Sequence, residues 1–227
     1  MTTAARPVLD RDLRQIQDDI LRMGSRIDAA IGLALRALAV HDTRLARQIV
    51  ADDAVVNALR FHVEEACLAC IATQQPTASD LRLVVASIII ASELERMADY
   101  AAGIATTVLR MDDEPLLLSQ ADLRAMADVC CEMVRDALVA YVRRDPEAAR
   151  AVAARDDVLD DLYNHIFRDI LAHILDDPTS TTRALYLLFS AHNLERIGDR
   201  VVNIAERVIF MSSGELRDLN AGPDAPV

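Results

Sequence analysis

The hydrophobic and polar positions of this chain fall into long stretches with little punctuation, and they lack the β-branched alternation and turn clusters that mark strands. Ala, Leu, Arg and Asp are abundant, glycine is scarce and tryptophan is absent, all of which favour helix. The pattern therefore predicts an all-α fold. Its few breaks define the elements. Asp145-Pro146-Glu147 supplies an N-cap, a proline at the first helical position and an early carboxylate, and Asp42-Thr43 does the same work in the first half. Pro76 and Pro178 interrupt the pattern again, each closing a second helix and opening a third. Helices are predicted near 8–40, 42–74 and 77–110, then near 118–144, 146–176 and 179–212.

The two sets of three are copies of one unit. ELERMAD at Glu93–Asp99 parallels NLERIGD at Asn193–Asp199, and Ile104-Ala105 recurs as Ile204-Ala205. Asp42–Asp53 reappears as Asp145–Asp156, and Gln75-Pro76-Thr77 as Asp177-Pro178-Thr179. Landmarks recurring in order mark a repeat. Long helices with short connections pack as antiparallel neighbours, so the expected organisation is a three-helix bundle at 8–110, a linker at 111–118, a second bundle at 119–212 and a flexible tail at 213–227.

Composition narrows the function. With 227 residues, 52% of them hydrophobic, the chain can bury a substantial core. A formal charge of -12 argues against nucleic acid, whose phosphates need concentrated Lys and Arg, and points to cations as ligands. No signal-peptide core precedes Asp12, and the longest apolar stretch, Leu83–Ala91, is too short to span a bilayer. A cytoplasmic protein without direct membrane insertion is expected, able to dock on a membrane protein. The four cysteines, Cys67, Cys70, Cys130 and Cys131, lack the paired spacing of a structural zinc site and read as reduced core thiols.

The carboxylates carry the chemical signal. Glu95 and Asp99 lie four apart on one helix, hence on one face, and Glu195 and Asp199 repeat the arrangement. The second helix of each unit adds a partner pair, Asp156 with Asp160 and Asp53 with Asn57. Two antiparallel helices presenting such pairs collect oxygen donors suited to iron, manganese or magnesium. A lone Glu-x-x-x-Asp is ordinarily a solvated face; recurrence at the same place in both units is what favours metal. Arg96 and Arg196 could instead form plain ion pairs with these acids. None of His41, His62, His165, His173 and His192 follows a Glu by three positions, so the Glu-x-x-His signature of di-iron bundles is missing, and no phosphate loop or hydrolase elbow occurs. His192, three residues before Glu195, reads as structural.

The doubled Leu-Glu-Arg-(Met/Ile)-(Ala/Gly)-Asp, the Pro-Thr entries and Arg155-Asp-Asp157 followed by Asp160-Asp-Leu-Tyr163 resemble the PhoU family of phosphate-transport regulators over nearly the whole chain. The resemblance implies two three-helix bundles and multinuclear metal sites, with iron, manganese, zinc or magnesium as the divalent or trivalent ions. By matching position the implied ligands are Asp53, Glu95 and Asp99 in the first unit and Asp156, Asp160, Glu195 and Asp199 in the second. It also implies a homodimeric, non-enzymatic negative regulator of phosphate uptake and of the phosphate-starvation response. The implied partners are the ATPase subunit of the phosphate ABC transporter and the phosphate sensor histidine kinase. The first unit departs from the pattern, with Asn57 where an Asp stands in the second and Ala98 opposite Gly198, so weaker metal binding is expected there. The rival readings are a metal-dependent helical hydrolase or oxidase and a metal-free scaffold.

Overall fold

The computed structural model describes residues 5–111, 121–215 and 219. Those residues form seven α-helices and no strand: α1 (Ala5–Ala39), α2 (Thr43–Gln74), α3 (Ala78–Arg110), α4 (Ala121–Arg143), α5 (Pro146–Ala153), α6 (Asp156–Asp176) and α7 (Thr181–Ser213), with a 3-10 turn at Pro178–Ser180. Asp42 caps α2 by accepting from the Leu45 N–H at 2.9 Å. Asp145 caps α5 by accepting from Glu147 and Ala148 at 3.0 and 3.1 Å. Each satisfies donors that a first helical turn leaves open. Gln75 ends α2 in the left-handed conformation at φ 48°, its N–H on the Ile71 carbonyl. Most of the linker expected at 111–118 and of the tail expected at 213–227 lies outside the described residues.

One expected helix is two. The stretch read as 146–176 breaks at Ala154 and Arg155, where the Arg155 N–H turns back to the Val152 carbonyl at 3.0 Å and the Val158 N–H to the Arg155 carbonyl at 3.1 Å. These are the tighter i to i−3 bonds of a 3-10 turn. The Arg155 guanidinium is drawn onto α4, pairing with Glu132 and, at 2.9 Å, with Asp136. No proline or glycine marks the break, so nothing in the residue pattern exposed it.

Burial follows helical spacing. Ile16, Ile20, Met23, Ile27 and Ile31 form one buried stripe on α1. On α3 and α7 the equivalent residues Leu94 and Leu194, Met97 and Ile197, Ala101 and Val201, and Ile104 and Ile204 are all fully buried. Burying one large aliphatic side chain of this kind stabilises the fold by about 1.5–3 kcal/mol. The third helices α3 and α7 pack along each other; α1 and α2 flank α3, while α4, α5 and α6 flank α7. The repeats therefore share one continuous core. Across their interface Glu93 accepts from Arg200 at 3.3 Å and from Asn203 at 3.1 Å. Each acidic set lies where a second helix packs on a third, α2 on α3 and α6 on α7. Among the described residues no helix is long and apolar enough to cross a membrane.

Candidate metal centre

The structure brings the four acids of the second repeat together. Asp156 and Asp160 from α6 and Glu195 and Asp199 from α7 line one cavity of about 660 Å³, joined by Asp157 and Arg150. The helix break is what aims Asp156 there, because it makes Asp156 the first residue of α6. Burial first, then Asp160, Asp199 and Glu195, push the Asp156 carboxyl up to about 7. Asp160 and Glu195 are also raised, again by burial first and by Asp199 next. The positive end of α6 favours an anion by about 0.3–1 kcal/mol, which these opposing influences outweigh.

Three observations test whether a cation fits. Glu195 Oε2 is buried without a hydrogen-bond partner; His192 Nδ1 stands 3.3 Å away but out of line for one. A buried acceptor left unmatched costs about 1–3 kcal/mol. Gly198 makes room: a Cβ there would stand 2.6 Å from Asp156 Oδ1 and 2.5 Å from Leu159 Cδ1. The donors are all oxygens, the set preferred by hard cations. The second repeat thus fits metal. Part of the purely ionic reading is also realised, since Asp199 lies 3.7 Å from Arg196 Nε and 3.9 Å from Arg200 Nη2. Both arginines reach the first repeat as well, Arg196 over the Tyr100 ring at 5.5 Å and Arg200 to Glu93.

Among the described residues the one group whose donor atoms all lie within 4.8 Å of one another is Asp122, His165 and Asp169. The four acids of the second cleft do not form so close a group. At the exposed trio His165 Nδ1 is 3.2 Å from Asp122 and 3.9 Å from Asp169, which a protonated imidazole satisfies as an ion pair. Only folding joins Asp122 to His165, 43 positions away, so sequence spacing gave no sign of it.

The first repeat is built differently. Asp53 Oδ2 accepts from Asn57 at 3.2 Å, while Oδ1 is buried without a partner. Asp53 lines a cavity of only about 120 Å³ with Asp52, Arg26 and Ala98. Burial, then Asp99, raise Asp53. Burial and Asp99 likewise raise Glu95, with Arg60 pulling against them. Asp53 and Glu95 therefore both feel Asp99, while Arg60, paired with Glu64 on its own helix, acts on Glu95. Arg60 was missed as a site residue; its signal was the repeat itself, which sets it opposite Tyr163. Tyr163 packs against His192 with ring centroids 6.1 Å apart. The cysteines are free, three of them buried, and Cys130 Sγ donates to the Leu194 carbonyl at 3.3 Å. Burial pushes the Cys67 and Cys131 thiols up to about 12, as befits inert core groups.

The family model of the PhoU domain matches residues 20–108 and 123–208, one match per repeat. The chain belongs to the PhoU family. It is 39% identical over 206 residues to the phosphate-specific transport system accessory protein PhoU homolog of Zymomonas mobilis subsp. mobilis, covering 91% of this chain and 87% of that one. The crystal structure of the phosphate transport system regulatory protein PhoU from Streptococcus pneumoniae superposes with a TM-score of 0.86 at 31% identity, covering 93% of this chain and all of that one. That of PhoU from Pseudomonas aeruginosa gives 0.85 at 30% identity, with coverages of 91% and 99%. These relatives are accessory or regulatory proteins of phosphate transport rather than enzymes, which sets aside the hydrolase or oxidase alternative.

Proposed function

We infer that this PhoU-family chain is a metal-binding adaptor that restrains phosphate uptake and the phosphate-starvation response through protein contact. It would link the ATPase subunit of the phosphate ABC transporter to the phosphate sensor histidine kinase, acting as a homodimer at the cytoplasmic side of the membrane. The observation that carries the metal part is the second cleft: four carboxylates on two helices, one with a buried unpartnered oxygen, around a glycine that keeps the space open. Bound there, several iron, manganese, zinc or magnesium ions supply the positive charge that the quartet lacks and present cations to an acidic or phosphate-bearing partner surface. The chain's own part is to fix the donors. Asp156 and Asp160 are held by α6, Glu195 and Asp199 by α7, so that filling the cleft ties the second helix of the repeat to the third.

The test is elemental analysis of natively purified protein beside the Glu195→Ala/Asp199→Ala variant, with a phosphate-starvation reporter and circular dichroism on both. Near-stoichiometric metal in the parent, lost together with repression in a variant that stays folded, supports the adaptor reading. Parent protein that stays metal-free after reconstitution would leave the acids as ion-pairing surface, the scaffold reading that Asp199's two arginine neighbours favour.

A further inference from the structure

Away from the acidic clefts, each repeat joins an aspartate of its first helix to a histidine of its second. The offset that pairs Asp42 with Asp145 also pairs Asp19 with Asp122 and His62 with His165. Both pairs meet in the fold, Asp19 with His62 at 3.7 Å and Asp122 with His165 at 3.2 Å. Their surroundings differ. Asp19, 1% exposed, is matched by its own helix: Gln15 donates to Oδ2 at 3.0 Å and Arg22 to Oδ1 at 2.9 Å. In the second repeat Ala125 stands where the first has Arg22, and Asp169 stands where it has Ala66. The copy has thus lost a guanidinium and gained a carboxylate. Among the described residues, His165 is the only cationic partner of either Asp122 or Asp169. Other acids that reach between elements meet arginine instead, Asp28 on Arg135, Asp80 on Arg144 and Glu93 on Arg200.

The three donor atoms all lie within 4.8 Å of one another, with His165 Nδ1 3.2 Å from Asp122 Oδ2 and 3.9 Å from Asp169 Oδ2. Donors bound tetrahedrally to zinc at about 2.0–2.2 Å stand about 3.3–3.6 Å apart, so small rotations of these side chains close the shell. Their backbones are fixed: Leu123 and Met126 of α4 and Ile166 and Ile170 of α6, beside the donors in sequence, are buried in the core. His165 and Asp169 are 54% and 55% exposed, which leaves water access to a fourth position. One nitrogen and two oxygens suit a zinc-class ion, whereas the all-oxygen quartet suits harder cations. We propose that Asp122, His165 and Asp169 form a second, separate metal site, which takes zinc(II) and clamps α6 to the first turn of α4. Where a proton on the imidazole brings one positive charge to two carboxylates, the ion brings two. The site stands independently of the cleft between α6 and α7.

The experiment titrates zinc chloride into full-length, metal-stripped Glu195→Ala/Asp199→Ala protein at physiological salt by calorimetry, with circular dichroism to verify folding. One zinc per chain is expected to bind. Adding His165→Gln or Asp122→Asn should weaken it at least tenfold, and Ala125→Arg, which restores the guanidinium of the first repeat, should weaken it too. His62→Gln, the equivalent histidine of the first repeat, and Asp161→Asn, one turn before His165 on α6, should leave it unchanged. In the parent, His165→Gln should lower the zinc count by about one per chain. A background variant that binds no zinc overturns the proposal. So does zinc binding that His165→Gln and Asp122→Asn, both folded, leave intact, or that His62→Gln weakens as much as His165→Gln does.

Discussion

The first and second acidic sets share a backbone plan, a second helix laid on a third with Glu-x-x-x-Asp on the latter, yet the four acids of the second line one cavity of about 660 Å³, whereas Asp53 lines a cavity of about 120 Å³ that Glu95 and Asp99 do not reach. Exchanges between the copies accompany the contrast: Asn57 stands where the second repeat has Asp160, Arg60 where it has Tyr163 and Ala98 where it has Gly198. None of them disturbs the shared core, where Leu94, Met97 and Ile104 are buried as fully as Leu194, Ile197 and Ile204. Duplication thus fixed the packing while the chemistry of each copy was left to side chains at the helix contact. What the pair teaches is that a repeated motif transmits position, while the side chains around it set how much space and charge each copy presents.

The strongest way to break the contrast is to give the second cleft the residue of the first. Gly198→Ala would place a methyl group 2.6 Å from Asp156 Oδ1, so the carboxylate must move, and manganese affinity measured by titration calorimetry should fall at least tenfold. Stability should change little, since alanine gains about 1 kcal/mol over glycine within a helix while crowding costs about 1–3 kcal/mol. Unchanged affinity would show that the glycine is not what holds the cleft open.

A smaller effect should come from the bridge between the repeats. Glu93→Ala removes the acceptor of Arg200 and Asn203 in a contact where Glu93 is 13% and Arg200 18% exposed. The loss should be about 1–3 kcal/mol, read as several degrees of melting temperature at about 2–4 °C per kcal/mol. Freed from Glu93, Arg200 can lean further onto Asp199, 3.9 Å away, so metal affinity should weaken a few-fold. A variant that melts lower but binds metal as before would uncouple the second cleft from the interface.

Much of this was legible in the residues. Capping chemistry at Asp42 and Asp145, the prolines and the hundred-residue echo of Leu-Glu-Arg led to the helices, the repeat and the acids that converge in the second cleft. The break at Ala154–Arg155 was not legible, because no proline or glycine marks it and the contacts of Arg155 with Glu132 and Asp136 come from another helix. The single shared core was hidden for a similar reason: apolar stripes on α3 and α7 say that a face is buried but not what buries it. Arg60 lay in view at the position equivalent to Tyr163, yet its meaning depends on how deep it sits, which spacing does not report.

The last contrast concerns protons. In metal-free protein the folded Asp156 titrates near 7, whereas in an unfolded chain an aspartate titrates at about 3.9. The folded state therefore holds this proton more tightly, and the stabilisation is complete below about pH 4, where both states are protonated. It is lost as pH rises toward 7 and is absent above. Asp160 and Glu195, also raised, act with the same sign. Melting temperatures of metal-stripped protein from pH 4.5 to 8 should consequently decline toward neutrality more steeply in the parent than in Asp156→Asn, which has no such proton to lose. Manganese should reverse the trend, since binding needs the ionised carboxylate and its stabilisation must grow over the same interval with release of a proton. The equivalent change in the first cleft, Asp53→Asn, should flatten the curve less, because there Asn57 already donates to the carboxylate and favours its ionised form. Parallel curves for the parent and Asp156→Asn would mean that the second cleft is wet enough to keep its acids ordinary.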